Sequence, residues 1–506
     1  MATSDLRLLL ASILFLLLFV AGWPWYHSIL DADGVGYAAV ARAYADGRWQ
    51  EAINGYWSPL HAWLVVPLLK AGVEVVMAFK YSNAFIAVLI LVVLHNLLRK
   101  LDIHPALQTA LLFTAVIPLL QFACYELAAD LLLVLLLLAY VNLLLQPAFF
   151  TSVRLYLLAG VLGALAYFAK AYAFPFFLVH FILFHFLWGG ARRNNRYLFA
   201  GLGVFFLLCT PWIVLLYHKY GTWMISSAGR LNQSWYLVPE RNPDLAFLPP
   251  PHAGASSWWE DPSLVQKTYY TAFASGALFL HQLRVLLYNI QQWFLALFAL
   301  SPLAPGILAA WVVQLVVRPS QHLRLFLLTA LLLPAGYLLI HIEVRFLWLL
   351  AFLLPAGAVL LLEPLVQQYV QKAWQRVLIW ALVLGSFLAE PVNILKDYRY
   401  RQQELHTLAG QLRSVQLQGA VTSNINSEEG MLLAWLAGFQ YHMPSAGEKP
   451  VNALLPVAAA HGIFQVLFFY SSAAEKEQLL REPVAAHIRR YTEIQPGLLL
   501  LYLQPE

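Results

Sequence analysis

The stretch DADGVGYAAVARAYADG, residues 31–47, decides how this chain is interpreted. It begins with Asp31 and Asp33, and it directly follows a strongly apolar segment over residues 6–26. The whole chain of 506 residues is 61% hydrophobic and only 11% charged, with a mean hydropathy of +0.66. Soluble domains carry about 25% charged residues. The sequence therefore predicts a polytopic α-helical membrane protein that holds two carboxylates at the end of its first span.

The remainder of this stretch predicts a short helix on the membrane surface. Tyr37, Val40 and Tyr44 recur at helical spacing, and Gly47 is placed to end the helix. Asp33 has two interpretations that do not exclude each other. It is the N-cap of this helix, or it is a general base that faces a cavity between the spans.

Apolar segments near 20 residues in length recur along the chain, and each can cross about 30 Å of hydrocarbon as a helix. Residues 278–296 are also apolar, but their polar side chains favour an interfacial helix. We therefore expect about eleven spans, within a range of eleven to thirteen. The predicted spans are 6–26, 75–98, 105–124, 127–146, 153–169, 171–189, 197–217, 298–317, 323–341, 345–364 and 374–392.

The basic residues between these spans predict the orientation. With the N-terminus in the cytoplasm, the cytoplasmic connections contain Arg99, Lys100, Arg154, Arg192, Arg193, Arg196, Arg318, Arg324, Lys372 and Arg376. This distribution follows the positive-inside rule. We expect a multi-pass protein of the inner (plasma) membrane with an uncleaved first span and an extracytoplasmic, periplasmic C-terminus.

The chain divides into a membrane module over residues 1–392 and a C-terminal extracytoplasmic α/β domain over 393–506. The membrane module has outer loops at 27–74 and 218–280. In the C-terminal domain, β-branched and aromatic content predicts strands at GAVTSNI, FQVLFFYSS and GLLLLYL. SEEGMLLAWLAGF, preceded by Asn426, and EKEQLLREPVAAHIRRY are predicted as helices.

Other ionisable residues fall at the same predicted face. Glu126 and Asp130 mark the turn before an apolar run, and an ionisable group within a span is costly enough to suggest function. Lys170 lies at the next outer turn, where snorkelling to the interface is the alternative. Glu343 and Arg345 lie at the mouth of a later span. They form an ion pair with each other, or Arg345 joins Lys170 in binding a lipid-linked phosphate.

A base beside two cations suits sugar transfer from a lipid phosphate, because the base activates the acceptor and the cations stabilise the leaving group. Asp31, Asp33 and Asp130 are the candidate catalytic carboxylates. No cofactor is certain, and a divalent metal bound by these three stays open because no ligand spacing identifies it. The alternative function is a transporter or lipid flippase that uses the same charges as a substrate path.

These motifs resemble those of bacterial GT-C-fold membrane glycosyltransferases, in particular the family 39-like proteins, which include protein O-mannosyltransferases and the lipid A aminoarabinose transferase. DADGVGYAAVARAYADG with NGYWSPLHAWLVVPLLKAG resembles their first outer loop. Asp33 and Tyr37 match the Asp and Tyr of an Asp-acid-x-x-Tyr signature, in which Gly34 replaces the second acid. YELAADLLLVL, ALAYFAKAYAF and HIEVRFLWLLAFLLPAGA are similar to the later acid, lysine and Glu-x-Arg segments, at Asp130, Lys170, Glu343 and Arg345.

The resemblance implies transfer of a sugar from a polyprenyl-phosphate donor to a lipid, glycan or protein acceptor at the outer face, with inversion. It implies contacts with membrane lipids and none with nucleic acid. The implied substrate-binding residues are Tyr37, Trp57, His61, Glu126, Lys170, Glu343 and Arg345. Aromatic residues of the long outer loop are candidates for a sugar site or for an interfacial belt, namely Trp223, Trp235, Tyr236, Trp258 and Trp259.

Overall fold

The computed structural model describes the chain except for residues 1–2, 239–244, 318–319, 401, 416, 418, 446–450, 482–485 and 505–506. Part of the long outer loop and Arg318 of the predicted orientation pattern therefore lie outside the described residues. The described helices are α1 (Thr3–Tyr26), α2 (Ala32–Ala45), α3 (Trp49–Ala52), α4 (Leu60–Lys70), α5 (Val75–Leu98), α6 (Pro105–Thr114), α7 (Val116–Tyr125), α8 (Asp130–Leu144), α9 (Val153–Ala169), α10 (Ala173–Trp188), α11 (Asn195–Tyr220), α12 (Ala228–Leu237), α13 (Pro262–Val265), α14 (Gly276–Leu300), α15 (Ala304–Val317), α16 (Gln321–Leu332), α17 (Leu350–Tyr369), α18 (Ala373–Gly385), α19 (Ala389–Asp397), α20 (Gln403–Val415), α21 (Ser427–Ala437), α22 (Val451–Ala460) and α23 (Ala473–Arg481).

The membrane part is a bundle of long apolar helices, as predicted. Within the described residues, seven helical segments are long and apolar enough to cross a membrane, and α18 with α19 forms an eighth that is bent by 46°. The seven are Asp5–Tyr26, Val75–Leu98, Pro105–Tyr125, Asn195–Tyr220, Gly276–Leu300, Gln321–Leu339 and Leu350–Tyr369. Shorter apolar helices, α8, α9 and α10 among them, complete the bundle. The chain is therefore a multi-pass membrane protein.

The region around residue 300 differs from the sequence prediction. Residues 276–300 form one continuous helix, α14, that is long and apolar enough to cross a membrane, where an interfacial helix was expected at 278–296. The predicted span at 298–317 begins only at Ala304. Ser301 ends α14 in extended conformation, and Pro302 follows it, so the helix cannot continue across this point. Two of its polar side chains, Gln282 and Asn289, are buried and donate hydrogen bonds to Leu339 O and Leu338 O.

The C-terminal region holds the small sheet that the sequence predicted. Its five strands lie in the order β3-β2-β5-β7-β6, with β2 parallel to β3 and β5. The strands of the chain are β1 (Phe247–Leu248), β2 (Ala420–Ser423), β3 (Gln440–Tyr441), β4 (Met443–Pro444), β5 (Gln465–Phe469), β6 (Ile488–Gln495) and β7 (Leu498–Leu503). The outer loop joins this domain, because β1 pairs with β4.

One element of this domain differs from its prediction. The expected helix EKEQLLREPVAAHIRRY ends at Arg481, and its last residues belong to strand β6, which pairs with β7. The arginines and tyrosine of IRRY suit an exposed edge strand as well as a helix, so their local pattern did not decide between the two. The predicted division after residue 392 falls inside α19, which continues to Asp397.

Helix α2 forms as predicted and ends before Gly47, whose φ of +74° suits glycine. It does not lie on an open surface. Nine of its 14 residues are buried, on more than one face. Helix α4 covers one side, and helix α21 of the C-terminal domain contacts another through Leu432 and Trp435. The start of α2 is therefore held between the membrane bundle and the C-terminal domain.

Candidate active site

The candidate site is a cluster of charges around Arg345. This arginine lies in a short 3-10 turn, Val344–Leu347, between the segment Gln321–Leu339 and α17. Its Nη2 lies 2.7 Å from Oδ2 of Asp33, and its Nη1 donates a hydrogen bond of 3.2 Å to Oε2 of Glu126. Its Nε lies 2.6 Å from Oε2 of Glu343. Three segments that are distant in sequence therefore meet at one guanidinium.

A second cation adjoins this cluster. Lys170 follows α9 and forms an ion pair with Asp130, the first residue of α8. The Lys170 Nζ also lies 4.4 Å from the centroid of the Phe346 ring. Asp130 is only 2% exposed, and its other oxygen lies 4.0 Å from Nη1 of Arg345. Asp130 thus lies between both cations and holds them next to each other.

Asp31 and Asp33 have different surroundings. Both oxygens of Asp31 accept backbone hydrogen bonds, from Gly34 N at 3.0 Å and from Leu127 N at 3.2 Å. Asp31 is therefore the N-cap of α2 and joins it to the turn after Glu126. The N-cap interpretation considered for Asp33 belongs to Asp31. This geometry argues against the catalytic role predicted for Asp31, whereas Asp33 faces a cavity and Arg345.

Steric contacts explain why Gly34 occupies the position of the second acid of the signature. A Cβ at Gly34 would lie 2.7 Å from Oδ1 of Asp31 and 2.8 Å from Cβ of Leu127. Both distances are too short for a side chain. The contact between Asp31 and the Leu127 turn thus requires glycine at this position.

The charges of the cluster do not balance. Asp33, Glu126, Asp130 and Glu343 surround Arg345 and Lys170, an excess of two carboxylates. Such an excess favours protonation of some of the acids.

The pKa values of the carboxyls differ accordingly. Burial raises the pKa of Asp33 to about 6, although the charge of Arg345 opposes the shift. Burial, together with the neighbouring Asp31, also raises the pKa of Glu126 well above its ordinary value. Burial would raise the pKa of Glu343 too, but His341 and Arg345 outweigh it and lower that pKa to about 2. At neutral pH, Asp33 is therefore ionised, whereas burial makes proton loss from Glu126 less favourable than in water.

Side chains that the sequence analysis did not select hold the backbone of this site. Asn289 donates to Leu338 O at 3.0 Å and Gln282 to Leu339 O at 2.8 Å, where the segment before Arg345 stops being helical. Tyr172 donates to Leu333 O at 2.9 Å on the same segment. In a buried location, such bonds satisfy carbonyls that a broken helix leaves unpaired.

The turn that carries Glu126 is held in the same way. Lys80, which is 1% exposed, donates to Cys124 O at 2.8 Å, and Asn83 donates to Glu126 O at 2.7 Å. Both residues lie on α5. The only sequence signal for Lys80 was its charge inside an apolar run, and Asn83 gave a weaker signal of the same kind.

A cavity of about 460 Å³ opens beside Asp33, Lys170 and Arg345. Its walls are largely aromatic and include residues from the first outer loop, the long outer loop and the segment before Arg345. They comprise Tyr37, Tyr56, Trp57, Tyr172, Trp235, Tyr236, Trp259, Tyr337 and Phe346. The polar residues Ser58, Ser226, Asn232 and His341 also line it. This combination suits a small ring with polar substituents.

Several predicted binding residues lie outside this cavity wall. His61 is fully buried on α4, where its ring packs 4.7 Å from that of Phe79. Among the loop aromatics, Trp258 is fully buried and Trp223 is 64% exposed, stacked on Tyr217. The described wall includes Tyr37, Trp57, Trp235, Tyr236 and Trp259 from the predicted sets.

A second cavity, of about 620 Å³, lies on the other side of Arg345 and also contacts Glu126 and Glu343. Helices α7, α14 and α19 and the start of α17 surround it. Much of its wall is apolar, including Phe122, Leu295, Ala296, Leu300, Trp348 and Phe387. Arg345 and Glu343 line both cavities. The charged cluster therefore lies where an aromatic cavity meets a largely apolar one.

The three aspartates proposed for a metal do not converge on one point. Asp31 binds two backbone N–H groups, Asp33 pairs with Arg345, and Asp130 pairs with Lys170. Among the described residues, no group of three or more His, Cys, Asp or Glu side chains is arranged to hold a metal ion. The residues present do not fit the divalent metal that the sequence left open.

Comparison with known proteins gives structural relatives only. No family model matches the chain, and no curated protein matches it in sequence. The chain is similar in structure to ArnT from Cupriavidus metallidurans bound to undecaprenyl phosphate, with a TM-score of 0.55, 12% identity and 97% of each chain covered. It is also similar to the Archaeoglobus fulgidus oligosaccharyltransferase, with a TM-score of 0.56, 10% identity, and 92% of this chain and 69% of that chain covered.

A third similar structure is the mycobacterial arabinofuranosyltransferase AftD, with a TM-score of 0.50 and 13% identity, over 99% of this chain and 40% of that one. All three structures are of GT-C membrane glycosyltransferases. The chain therefore has the GT-C fold, as the resemblance in its sequence implied. At these identities the similarity establishes the fold and not the reaction.

Proposed function

We propose that this protein is a membrane glycosyltransferase that moves a sugar from a polyprenyl-phosphate donor to a lipid, glycan or protein acceptor. The observation that carries the proposal is the pair of Asp33 and Arg345 at the junction of two cavities. A transferase needs room for two substrates, a base for one of them and a cation for the leaving group of the other. The GT-C fold adds weight to this interpretation.

In the proposed step, Asp33 accepts the proton of the acceptor nucleophile, a hydroxyl or an amine. The nucleophile attacks the anomeric carbon and forms the new glycosidic bond, while the bond between that carbon and the phosphate oxygen breaks. Polyprenyl phosphate leaves with the electron pair, and Arg345 and Lys170 stabilise its additional negative charge. Attack opposite to the leaving group inverts the anomeric centre.

The roles of the carboxylates follow from their contacts. Asp33 has a pKa of about 6, so it is ionised at neutral pH but still basic enough to take a proton. Glu126 and Glu343 hold Arg345 from two other sides. Asp130 keeps Lys170 near Arg345. A donor phosphate would meet a guanidinium whose direction is fixed before binding.

The two cavities suit different parts of the substrates. The cavity of about 620 Å³, with walls such as Phe122, Leu295 and Trp348, suits the first units of a polyprenyl chain. The cavity of about 460 Å³, lined by Trp57, Trp235 and Trp259 among others, suits the sugar and the acceptor. The structural relative from Cupriavidus metallidurans was solved bound to undecaprenyl phosphate, which supports this class of donor.

We further propose that the site lies on the outer face of the inner membrane. The basic connections between spans favour a cytoplasmic N-terminus. The C-terminal domain contacts α2, so it lies on the same face as the site.

The proposal is tested with purified protein in liposomes, given a panel of polyprenyl-phosphate sugars and membrane extract as acceptor. We expect labelled acceptor and released polyprenyl phosphate in equal amounts. Ala299→Trp narrows the apolar cavity and should raise the donor KM by about tenfold, since a filled pocket loses apolar contact area. Phe298→Trp, on the exposed face of the same turn, is the matched control.

Movement of an intact donor across the bilayer without cleavage would contradict the transferase proposal and favour the transporter. Equal donor KM values for Ala299→Trp and Phe298→Trp would contradict only the placement of the polyprenyl chain in the cavity of about 620 Å³.

A further inference from the structure

The segment that joins the last membrane helix to the C-terminal domain contacts the chain just before Asp31. Gln402 pairs with both polar groups of one residue: Leu30 N donates to Oε1 of Gln402 at 2.8 Å, and Nε2 of Gln402 donates to Leu30 O at 2.5 Å. The side-chain amide of Gln402 thus forms the pair of hydrogen bonds that a neighbouring β-strand would form with Leu30. Leu30 itself is 1% exposed, so these bonds replace water for a buried peptide.

Further contacts attach the same two segments. His406 Nε2 lies 2.9 Å from Ser28 O, and Tyr400 N donates to Trp25 O at 3.2 Å. The guanidinium of Arg399 lies 3.7 Å above the Trp25 ring. Peptide groups along the turn from α1 to α2, at Trp25, Ser28 and Leu30, are therefore held by residues 400–406.

The backbone of the joining segment is strained. Among the described residues, only two that are not glycine have φ in the left-handed region, Tyr400 at 63° and Gln402 at 70°. Both lie in this segment. Left-handed backbone is unfavourable for these residue types and persists where the surroundings enforce it, often beside functional sites. A glycine would fit the backbone at Gln402 better but could not bind Leu30.

The link from Gln402 to the reacting groups is short. Leu30 precedes Asp31, whose carboxylate caps α2 and also binds Leu127 N. Asp33 comes two residues later and meets Arg345 at 2.7 Å. A shift of the Leu30 peptide would move the cap and Asp33 together, and displacements near 1 Å are enough to slow a positioned reaction about a hundredfold.

We propose that Gln402 is a positioning residue for transfer: by pairing with both polar groups of Leu30, it fixes the turn on which Asp33 meets Arg345. This inference rests on the proposed function above. It gives the segment between the membrane bundle and the C-terminal domain a role in the reaction, in addition to connecting the two.

The test compares Gln402→Gly and Gln402→Asn with Thr407→Ala. Glycine removes the amide but relieves the left-handed strain, which offsets part of the cost of the two lost hydrogen bonds. Asparagine tolerates this φ but is too short to reach both groups of Leu30. Thr407 is exposed on α20, and its hydroxyl binds only its own helix, at Gln403 O, so it is the matched control.

Hydrogen–deuterium exchange is the first readout, because it does not depend on activity. In Gln402→Gly we expect the amides of residues 28–36 to exchange at least tenfold faster than in wild type. In Thr407→Ala they should exchange at the wild-type rate. Unchanged exchange in both Gln402 variants would overturn the proposal, whatever the transfer assay shows.

Transfer kinetics are the second readout. For Gln402→Gly we expect kcat to fall by about ten- to a hundredfold, with the donor KM within about threefold of wild type. The midpoint of the pH profile should move to higher pH. Asp33 is faced by Arg345 and Lys170 and by the acids Asp31 and Glu343, and a looser pair with Arg345 removes the contact that most favours its ionised form.

The outcomes separate the two proposals. Faster exchange with unchanged kcat would overturn the role of Gln402 in transfer. Faster exchange in Gln402→Gly, when the wild type transfers no sugar from any donor, would contradict the proposed function and leave the positioning of the turn established.

Discussion

Two charged clusters lie on either side of helix α2, and they differ in balance. The cluster around Arg345 has four carboxylates and two cations. The other cluster lines a cavity of about 710 Å³ between α2, α11, the long loop and the C-terminal domain, and it includes Arg42, Arg48 and Lys219 with Glu51, Glu260 and Asp261. Three cations that line this cavity face three acids, and Arg42 and Arg48 also pair with the exposed carboxylates of Glu74 and Asp46 outside its wall.

Two of the three cations in the balanced cluster pair with acids of the same cluster. Lys219 binds Asp261 at 2.8 Å and also Ile53 O, while Arg48 pairs with Glu51. The OH of Tyr220 donates to the same carboxylate of Asp261 at 2.8 Å. These contacts join the end of α11 to the first outer loop at Ile53 and to the long outer loop at Asp261. The balanced cluster therefore stabilises the contact between α11 and the outer loops. The excess of carboxylates around Arg345 instead leaves Asp33 available as a base.

Substitution of Arg345, at the centre of the unbalanced cluster, should have the largest effect on transfer and stability. Arg345→Gln leaves the surrounding carboxylates without their common cation, so transfer should fall by about 10³-fold or more. Stability should fall by about 3–5 kcal/mol, because a buried ion pair loses one partner. Transfer assays and thermal unfolding check both.

Arg345→Lys separates these two effects. A lysine keeps the charge and should recover much of the stability, but it cannot contact three carboxylates and a phosphate in fixed directions. Wild-type transfer by this variant would contradict the role given to the guanidinium.

The second prediction concerns pH. Burial raises the pKa of Asp33 to about 6, and a base works only when ionised. We therefore expect kcat/KM to fall about tenfold per pH unit below pH 6 and to level off above it. A profile measured from pH 4.5 to 8 checks this. A rate that declines as pH rises from 5 to 7 would contradict Asp33 as the base.

The third prediction tests whether the balanced cluster contributes to stability but not to transfer. Lys219→Met leaves Asp261, which is 3% exposed, without its cation, so the protein should lose about 3 kcal/mol of stability. The rate of transfer per folded molecule should change by less than about twofold, because this cluster does not contact the candidate site cavities. A kcat lower by more than about tenfold, with stability kept, would remove the distinction between the clusters.

The smallest effect concerns the proton on Glu126. Its pKa is raised, mainly by burial, so the folded state binds this proton more tightly than the unfolded state does. Stability from this group is therefore fully present below the unfolded pKa, near 4.3, and is lost as the pH rises toward the folded pKa. Glu126→Gln should flatten the decline in melting temperature as the pH rises above about 4.3. The same slope in wild type and variant would contradict the raised pKa of Glu126.

The sequence allowed the main charges to be predicted because they stand out against apolar surroundings. Asp33, Asp130, Lys170 and Arg345 each interrupt or flank a hydrophobic run, where an unpaired charge is costly. The sequence predicted that these residues lie at one membrane face, but it did not predict that they converge on one guanidinium. Which acid contacts Arg345 depends on contacts across hundreds of residues.

The residues that hold the backbone could not be found in this way. Gln282, Asn289 and Gln402 bind carbonyl or amide groups of distant segments, and no local pattern marks an amide that does so. The same limit explains why the sequence offered the cap to Asp33. Both aspartates lie at the start of α2, and only the structure shows that Asp31 binds Gly34 N and Leu127 N.

The proposed reaction depends most on Asp33 as the base. Its most direct test compares Asp33→Asn with wild type in two separate measurements, the affinity for a polyprenyl-phosphate sugar and the rate of transfer in a single turnover. Asp46→Asn, at the exposed end of the same helix, is the control. For Asp33→Asn we predict donor affinity within about threefold of wild type and transfer slower by about 10²- to 10⁴-fold. Transfer by Asp33→Asn at the wild-type rate would contradict the role of Asp33 as the base.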